Sequence, residues 1–548
     1  MSNTTIAPEA PAMSRRQVLE ALSGLLLGMF VAMLASTVVS TSLPKIVTDL
    51  GGDQSAFTWV ITASLLATTV STPIWGKLAD LTNRKILVQV ALVVFVIGTV
   101  LAGLAQNTES LIAFRAIQGL GAGGLMALVQ VIMSDIISPR ERGRYVGLMG
   151  GVMAVATAGG PLLGGLITDA FGWRWNFYVA IPFAVAAFIV IQLTLHLPKR
   201  NRKVRIDYIG AVLIAAGVSL VLIWVTLGGN QFEWNSPTSL IMIGGAVLTL
   251  IAAVIWELKH PEPIIPMSLF KNRTFTLMVV ASISVGISMF GTSVFISQYL
   301  QLARDKTPTE SGLYTLPQVF AMLIASMVVG NLISRTGKWK RWMVSGAALL
   351  ALGTGLMSTI AYDTPFWQLF LYMGIIGLGI GMLMQNMVLV VQNTVDVSQM
   401  GAASAGIAFF RSLGGAAGVA ALGAVLARSV KNGIVDGLAD LGIPAGQATG
   451  DGSLPDLATL PGPIRTVIEQ AYGSGVAEIF LWALPVAIVT LIAVIFVPNI
   501  KLGTKTGIQQ AAEKDGVLID AEIADAGGVP LDHENDSVPT SAAPAPRG

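Results

Sequence analysis

Two arginines and a few carboxylates stand out as groups able to bind or move charge in this apolar chain. Arg115 and Gln118, three residues apart in LIAFRAIQGLGAGG (111–124), share one helix face. Arg411 stands about ten residues into another apolar run, at FFRSLGGAAGVA. Asp80, Arg84 and Lys85 close a third run at GKLADLTNRK, while Asp135 and Glu478 lie near the ends of two more. Such groups can pair, take up protons or meet a charged ligand, and inside a membrane they mark functional positions by default. Other chemistry is poorly supplied. The chain has no Cys and 3 His, and His196, His260 and His533 all fall in loops or the tail. No GxxxxGK[ST], HExxH or nucleophile triad occurs, which excludes ATP-driven pumping and hydrolysis. Gly119, Gly121 and Gly124 spell GxGxxG, but inside an apolar helix with no strand before it, so no dinucleotide site is expected. No enzyme activity, cofactor or metal is anticipated.

The elements that carry these residues are membrane helices. The chain is 53% hydrophobic and 12% charged, with a mean hydropathy of +0.72, whereas soluble domains are about a quarter charged. Fourteen apolar segments appear: 18–43, 57–78, 86–105, 110–135, 144–168, 174–195, 208–228, 238–257, 274–300, 311–333, 342–361, 366–394, 401–427 and 476–498. Each can cross roughly 30 Å of hydrocarbon as a helix. The fold class is an all-α polytopic membrane protein. The first run follows Arg15 and Arg16, as in a signal peptide, but it is long and lacks a small-residue cleavage site, so it reads as a retained helix.

Charge alternates between the loops. Lys77, Arg84 and Lys85, then Arg140, Arg142 and Arg144, then the run from Lys199 to Arg205 recur on one side, joined by Lys259, Lys271, Arg273 and the 335–341 cluster. The intervening loops are poor in Lys and Arg, although the loop before 401 also lacks a basic residue. Basic loops stay cytoplasmic, which places both termini in the cytoplasm. Residues 1–17 form a cytoplasmic segment. Residues 428–474, rich in Gly, Pro and Asp, read as a long external loop with a short surface helix near 464–472. Residues 499–548 read as a disordered cytoplasmic tail, acidic from 503 on and too poor in apolar residues to fold alone.

An internal repeat organises the segments. IQGLGAGGLM at 117–126 recurs as IIGLGIGMLM at 375–384, with 7 of 10 residues identical, and GKLADLTNRK at 76–85 is echoed by GNLISRTGKW at 330–339. The offsets, 258 and 254, agree, and both pairs relate segments that cross in the same sense. Residues 18–195 and 274–498 are therefore two parallel six-helix repeats, and 208–257 is a pair of inserted helices. Two parallel six-helix repeats are the plan of major facilitator transporters.

On these residues the chain resembles the fourteen-spanner drug:proton antiporters of the major facilitator superfamily over all but its two ends. Gly76, Asp80 and Arg84 match the cytoplasmic loop motif after the second segment, with Leu81 and Asn83 replacing its usual Arg and Gly. The resemblance implies a cytoplasmic gate in which Asp80 latches the halves together, and Arg144 is a candidate partner. Gly160, Pro161, Gly164 and Gly165 resemble the antiporter signature of the fifth segment, where Pro161 would kink the helix and the glycines admit a neighbour. Arg115 and Gln118 fall on the family's motif in the fourth segment.

One departure matters. The family's first segment carries an Asp in a string like LDxTIVSTALP, and here LASTVVSTSLP puts Ala35 in its place. Proton coupling is then expected from Arg115 and Gln118 together with Glu478 or Asp135, since a carboxylate relieved of its cation takes a proton more readily. Arg115 and Arg411 have a plainer reading too, as helix-locking donors to carbonyls. A cavity with arginines and no deep carboxylate suits neutral or anionic substrates. Its expected lining is Thr37, Ser40 and Thr62 as polar groups from the first half, with Trp59 as apolar surface. The second half would add Ser288, Thr292, Gln298, Gln318, Gln385, Asn386 and Arg411. The resemblance implies a proton-coupled exporter of lipophilic small molecules in a plasma membrane of bacterial inner-membrane type. Alternatives are a dedicated exporter of one endogenous metabolite, lipid or peptide, and a relative without proton coupling. The expected partners are a small-molecule substrate, protons and membrane lipid, with no nucleic acid and the chain taken as a monomer. The inserted helices could cover a lateral opening or make a dimer contact, and composition does not choose.

Overall fold

A computed structural model describes residues 15–51, 54–137, 139–195, 207–228, 232–306, 308–442 and 462–503. Residues before 15, the middle of the 428–474 stretch and the tail beyond 503 lie outside the described residues, as do the side chains of Ser40, Arg144, Pro161, Gly165 and Gln385. Among the described residues the chain is helical and no strand forms. Hydrocarbon offers no partner to backbone N–H and C=O groups, so each apolar segment must satisfy its own.

In chain order the helices are α1 (Arg15–Asp49), α2 (Gln54–Leu81), α3 (Arg84–Gly103), α4 (Thr108–Ile136), α5 (Pro139–Phe171), α6 (Trp175–Tyr178), α7 (Ala180–Thr194), α8 (Tyr208–Leu227), α9 (Pro237–Lys259), α10 (Arg273–Gln298), α11 (Pro308–Tyr314), α12 (Leu316–Thr336), α13 (Trp339–Met357), α14 (Phe366–Gln392), α15 (Met400–Asp440) and α16 (Gly462–Phe496). With α6–α7 and α11–α12 each read as one broken segment, these helices are compatible with the fourteen expected segments. Among the described residues, eleven spans are long and apolar enough to cross a membrane. Short polar side chains start several of them. Asn83, Asn107, Asp207, Ser236 and Asn272 each accept a first-turn N–H, which relieves the orphan donors of a helix start.

The ends of α15 and α16 differ from the expected loop. At 41 residues, α15 is roughly 60 Å long, about twice the hydrocarbon thickness, and continues to Asp440. Helix α16 begins at Gly462, and the two pair beyond the apolar region, where a Cβ on Gly437 would come within 2.6 Å of Val467. Glycines at 433 and 437 thus zip a hairpin that the composition suggested was loop.

The packing repeats as the sequence does. Helix α4 packs on α2 and α3 as α14 packs on α12 and α13, and α1 packs on α5 and α7 as α10 packs on α15 and α16. The shared string explains the match. A Cβ on Gly121 would lie 2.6 Å from the Ala91 carbonyl oxygen of α3, and one on Gly379 would lie 2.8 Å from that of Gly346 in α13. Gly119 and Gly377 likewise press on backbone carbonyls of α2 and α12. Close helix approach is what small residues provide in a membrane.

The two bundles meet along α2–α15 and α5–α12. The inserted pair lies beside this seam. Helix α8 packs on both α2 and α15, α9 packs on α8, and Val70, Ile214, Val218, Ile265 and Phe409 form a common apolar cluster.

Gly379→Leu should destabilise the protein by about 1–3 kcal/mol through overpacking against backbone. Gly374→Ala, where nothing lies within 4 Å, should leave the melting temperature unchanged or slightly higher. Thermal unfolding of the two purified variants checks this, and equal Tm values would contradict the packing assignment.

Candidate functional site: a polar seam at one end and buried arginines within

The polar contacts between the bundles gather at the end carrying the basic loops. The chain leaves α2 through GKLAD, so Asp80 emerges beside the start of α15. Its Oδ1 accepts the Gly401 N–H at 3.0 Å and its Oδ2 the Ala402 N–H at 2.9 Å. These donors belong to the first turn of α15, where N–H groups lack intrahelical acceptors and the helix dipole favours an anion. The fit depends on Gly76 and Gly401. A Cβ on Gly76 would come within 2.9 Å of the Gly401 carbonyl oxygen, and one on Gly401 within 2.6 Å of the Gly76 carbonyl oxygen.

Arg84, at the start of α3, completes the group. Its Nε donates to the Ala79 carbonyl at 2.8 Å, its Nη2 lies 3.5 Å from Asp80 Oδ1, and its Nη1 pairs with Asp135 at the end of α4. All three charged side chains are buried. Gly76, Asp80 and Arg84, the residues expected at a gate, therefore converge and are joined by Asp135, while the side chain of Arg144, the expected partner of Asp80, lies outside the described residues.

Sequence reasoning passed over a second crossing. Arg142 entered only as one of several basic loop residues, yet its side chain is fully buried. It donates to the carbonyls of Ser134 at 3.1 Å and Ile137 at 3.0 Å, and to Gln392 Oε1 of the other bundle. Gln392 in turn donates to Ser404 Oγ at 2.6 Å and to the Gln130 carbonyl at 3.4 Å. Glutamines inside the apolar ends of α4 and α14 were the available signal.

The Arg115 network stays inside the first bundle. Arg115 Nη1 donates to Gln118 Oε1 at 2.5 Å, Gln118 Nε2 to Thr99 Oγ1 at 2.8 Å, and Thr99 to the Phe95 carbonyl at 2.7 Å. The expected link from Arg115 to Glu478 is not formed. Helix α16 packs on α10, α13 and α15, and Glu478 lies on its exposed side. Asp135 is held by Arg84, not by Arg115.

Gly160 and Gly164 of the fifth-segment motif face α1. Gly160 sits against Thr37, whose Oγ1 donates to the Ala156 carbonyl at 3.0 Å, and a Cβ on Gly164 would lie 2.6 Å from the Val38 carbonyl oxygen. Farther along, Ser42, Thr168 and Asn176 bond mutually at 2.6–2.7 Å. Ala35, at the family's Asp position, is 2% exposed and belongs to the main apolar core.

The expected cavity lining is dispersed. Ser288 and Thr292 face the interior of the second bundle, where with Thr354 and Phe480 they line a cavity of about 10 Å³, room for one water. Trp59, Thr62, Gln298 and Gln318 are half-buried. Asn386 is buried and donates to the Met382 carbonyl at 2.7 Å, leaving its Oδ1 without a partner. Arg411 is 9% exposed, and among the described residues nothing forms a hydrogen bond or ion pair with its guanidinium. Burying a charge without a partner costs several kcal/mol, so among the described residues this cation stands out as uncompensated.

Asp80→Asn keeps the shape of the seam contact and removes its charge. Losing charge-assisted bonds costs about 1.5–3 kcal/mol, which should raise the opened fraction roughly ten- to a hundred-fold. Because the chain has no native Cys, a Ser404→Cys probe in the buried seam reports this cleanly. A water-soluble maleimide should label it faster in the Asp80→Asn background, and equal rates would refute the contact's importance.

Comparison with known proteins agrees with the geometry. The family model described as Major Facilitator Superfamily matches residues 25–419. An MFS-type transporter of Mycobacterium tuberculosis is 35% identical over 531 residues, covering 96% of this chain and 74% of its own. The multidrug transporter protein MdtP of Bacillus subtilis is 35% identical over 75% of this chain and 76% of its own. Multidrug resistance protein 3 of the same organism is 30% identical over 89% and 97%. In structure the chain is similar to the human organic anion transporter MFSD10, with a TM-score of 0.56 at 14% identity, covering 86% of this chain and 99% of that one, a likeness of fold. Two repeated helical bundles, a polar seam between them and relatives named as multidrug transporters make this chain a multi-pass transporter, not an enzyme, and it belongs to the major facilitator superfamily.

Proposed function

We propose that the protein is a proton-driven exporter of lipophilic small molecules that are neutral or anionic, working by alternating access between its two bundles. Relatives named multidrug transporter and multidrug resistance protein support efflux. The basic loops support placing the seam on the cytoplasmic side of a plasma membrane, with both termini there. On that orientation the conformation described here is shut toward the cytoplasm. Opening would break the bonds of Asp80 and Arg142 to the other bundle and leave the bonds within each bundle intact.

The observation that carries the substrate class is Arg411. An uncompensated buried cation repels cationic drugs and attracts anions, and the packed Ala35 offers no opposing carboxylate. Of the two carboxylates considered for coupling, Asp135 is the better placed. It shares Arg84 with Asp80, so a proton on Asp135 would free Arg84 and alter the gate directly. Glu478 has no such connection. The driving force suffices. A charge moved through 100 mV yields about 2.3 kcal/mol and one pH unit about 1.36, which together support up to ~500-fold accumulation per proton.

Proteoliposomes with an imposed pH gradient test the reading by internal pH on adding a cationic dye, a neutral lipophile or an anionic lipophile. Proton movement should accompany the neutral or anionic compound and fall at least roughly tenfold in Asp135→Asn, within the range general acid–base groups contribute. Proton movement with no compound would sink proton-coupled export and leave a facilitator. Arg411→Met should raise the melting temperature, since replacing buried charge by a well-packed apolar residue is often stabilising by about 1–4 kcal/mol. The same variant should lose transport of the anionic compound while keeping that of the neutral one.

A further inference from the structure

The inserted helices hold two buried carboxylates that the transport reading does not use. Asp207 caps α8, and Glu257 lies in the last turn of α9. Each is 3% exposed. Asp207 Oδ1 accepts the Gly210 N–H at 2.8 Å and the Trp256 indole N–H at 2.9 Å, and Glu257 Oε2 accepts the Ile265 N–H at 3.1 Å. The second oxygen of each, Asp207 Oδ2 and Glu257 Oε1, accepts no hydrogen bond. Both oxygens point to the same place. A Cβ on Gly210 would touch the two of them, Glu257 Oε1 at 2.6 Å.

Two groups stand near enough to bring positive charge to the pair, His260 and Lys77. His260 Nδ1 is 3.6 Å from Asp207 Oδ2, but that nitrogen accepts the Glu262 N–H at 3.2 Å. A ring nitrogen that accepts does not donate, so this nitrogen makes no hydrogen bond to Asp207. Lys77, the cation offered by α2, is committed to Glu262 Oε2 at 2.6 Å. The face that α15 turns to α8 is apolar, with Phe409, Phe410 and Leu413. Lys259 and Lys271 are exposed, and the basic run 199–205 lies outside the described residues.

We infer that Asp207 and Glu257 bind one shared proton across Gly210, making the inserted helices a proton-binding element beside the gate. Two carboxylates buried together, each with one oxygen that accepts no hydrogen bond, repel one another, and a shared proton turns that repulsion into a hydrogen bond. The state of the pair reaches the seam by two routes. Glu257 Oε2 holds the connector through Ile265, which packs with Val70 of α2 and Phe409 of α15. Glu262 of the same connector holds Lys77, three residues before Asp80. The inference stands apart from the export reading, and its test needs no transport.

The test is infrared difference spectroscopy of the purified full-length protein, titrated across the pH range where ordinary carboxylates are fully ionised. A protonated-carboxyl C=O band should appear there, and both Asp207→Asn and Glu257→Gln should remove it. Both variants are near-isosteric, and a monodisperse elution profile confirms that each is folded. Replacing the Lys and Arg residues of 199–205 by Gln should leave the band in place. No band in the wild type, or a band that survives both carboxyl substitutions, overturns the inference. A band that appears only after the basic run is neutralised also overturns it, by showing that the run is the counter-ion. Loss of the band when sodium is added at constant pH would assign the site to a metal cation instead.

Discussion

A carboxylate seated on the start of a helix is the contact on which the closed end of this protein depends. The first N–H groups of α15 have no acceptor within their own helix, and Asp80 of the other bundle supplies one to two of them. Gly76 and Gly401 let the backbones come near enough for that reach. Arg84 then serves two carboxylates at once and offsets one of their charges, while the start of α15 receives the other. The Arg142–Gln392 bond adds a second crossing nearby. Both contacts join different bundles, which is why they can be broken without unfolding either one.

The interfaces within each bundle are of another kind. There the glycines of the repeated string bring α4 onto α2 and α3, and α14 onto α12 and α13, at backbone contact. Such packing has many small terms and one geometry, so it resists sliding. The joint between α1 and α5 mixes both kinds, with Gly160 and Gly164 admitting α1, and Thr37 bonding across to the Ala156 carbonyl. Rigid bundles with a polar, separable seam form a pair of bodies suited to rocking.

The charges left inside divide into compensated and uncompensated. Arg115 and Arg142 have partners on their own or neighbouring helices, while Arg411 has none among the described residues. The position where the sequence resemblance implies an acid is a packed methyl group, Ala35. Negative charge instead collects at the seam and at the foot of the inserted helices. That distribution sets the electrostatic character of the interior more strongly than the overall balance of 33 basic and 31 acidic residues.

By itself the sequence determined what depends on composition and spacing. Apolar run length set the class and the positions of the helices, and IQGLGAGGLM with IIGLGIGMLM set the two-bundle plan, because backbone satisfaction in lipid and close helix approach act locally along a segment. The contact of Asp80 at a helix end was legible only through the resemblance of its loop motif to a known family. Only the tertiary structure decided the partners. Asp135 joins Arg84 beside Asp80, Gln118 rather than Glu478 meets Arg115, and Ser288 and Thr292 turn into their own bundle. It also put the inserted helices beside the α2–α15 seam and made Arg142, one basic loop residue among several, a fully buried crossing. Hydrogen bonds reach about 3 Å, so which groups meet depends on helix rotation and depth. Those are fixed by packing between residues as far apart in the chain as 142 and 392, and no local pattern records them.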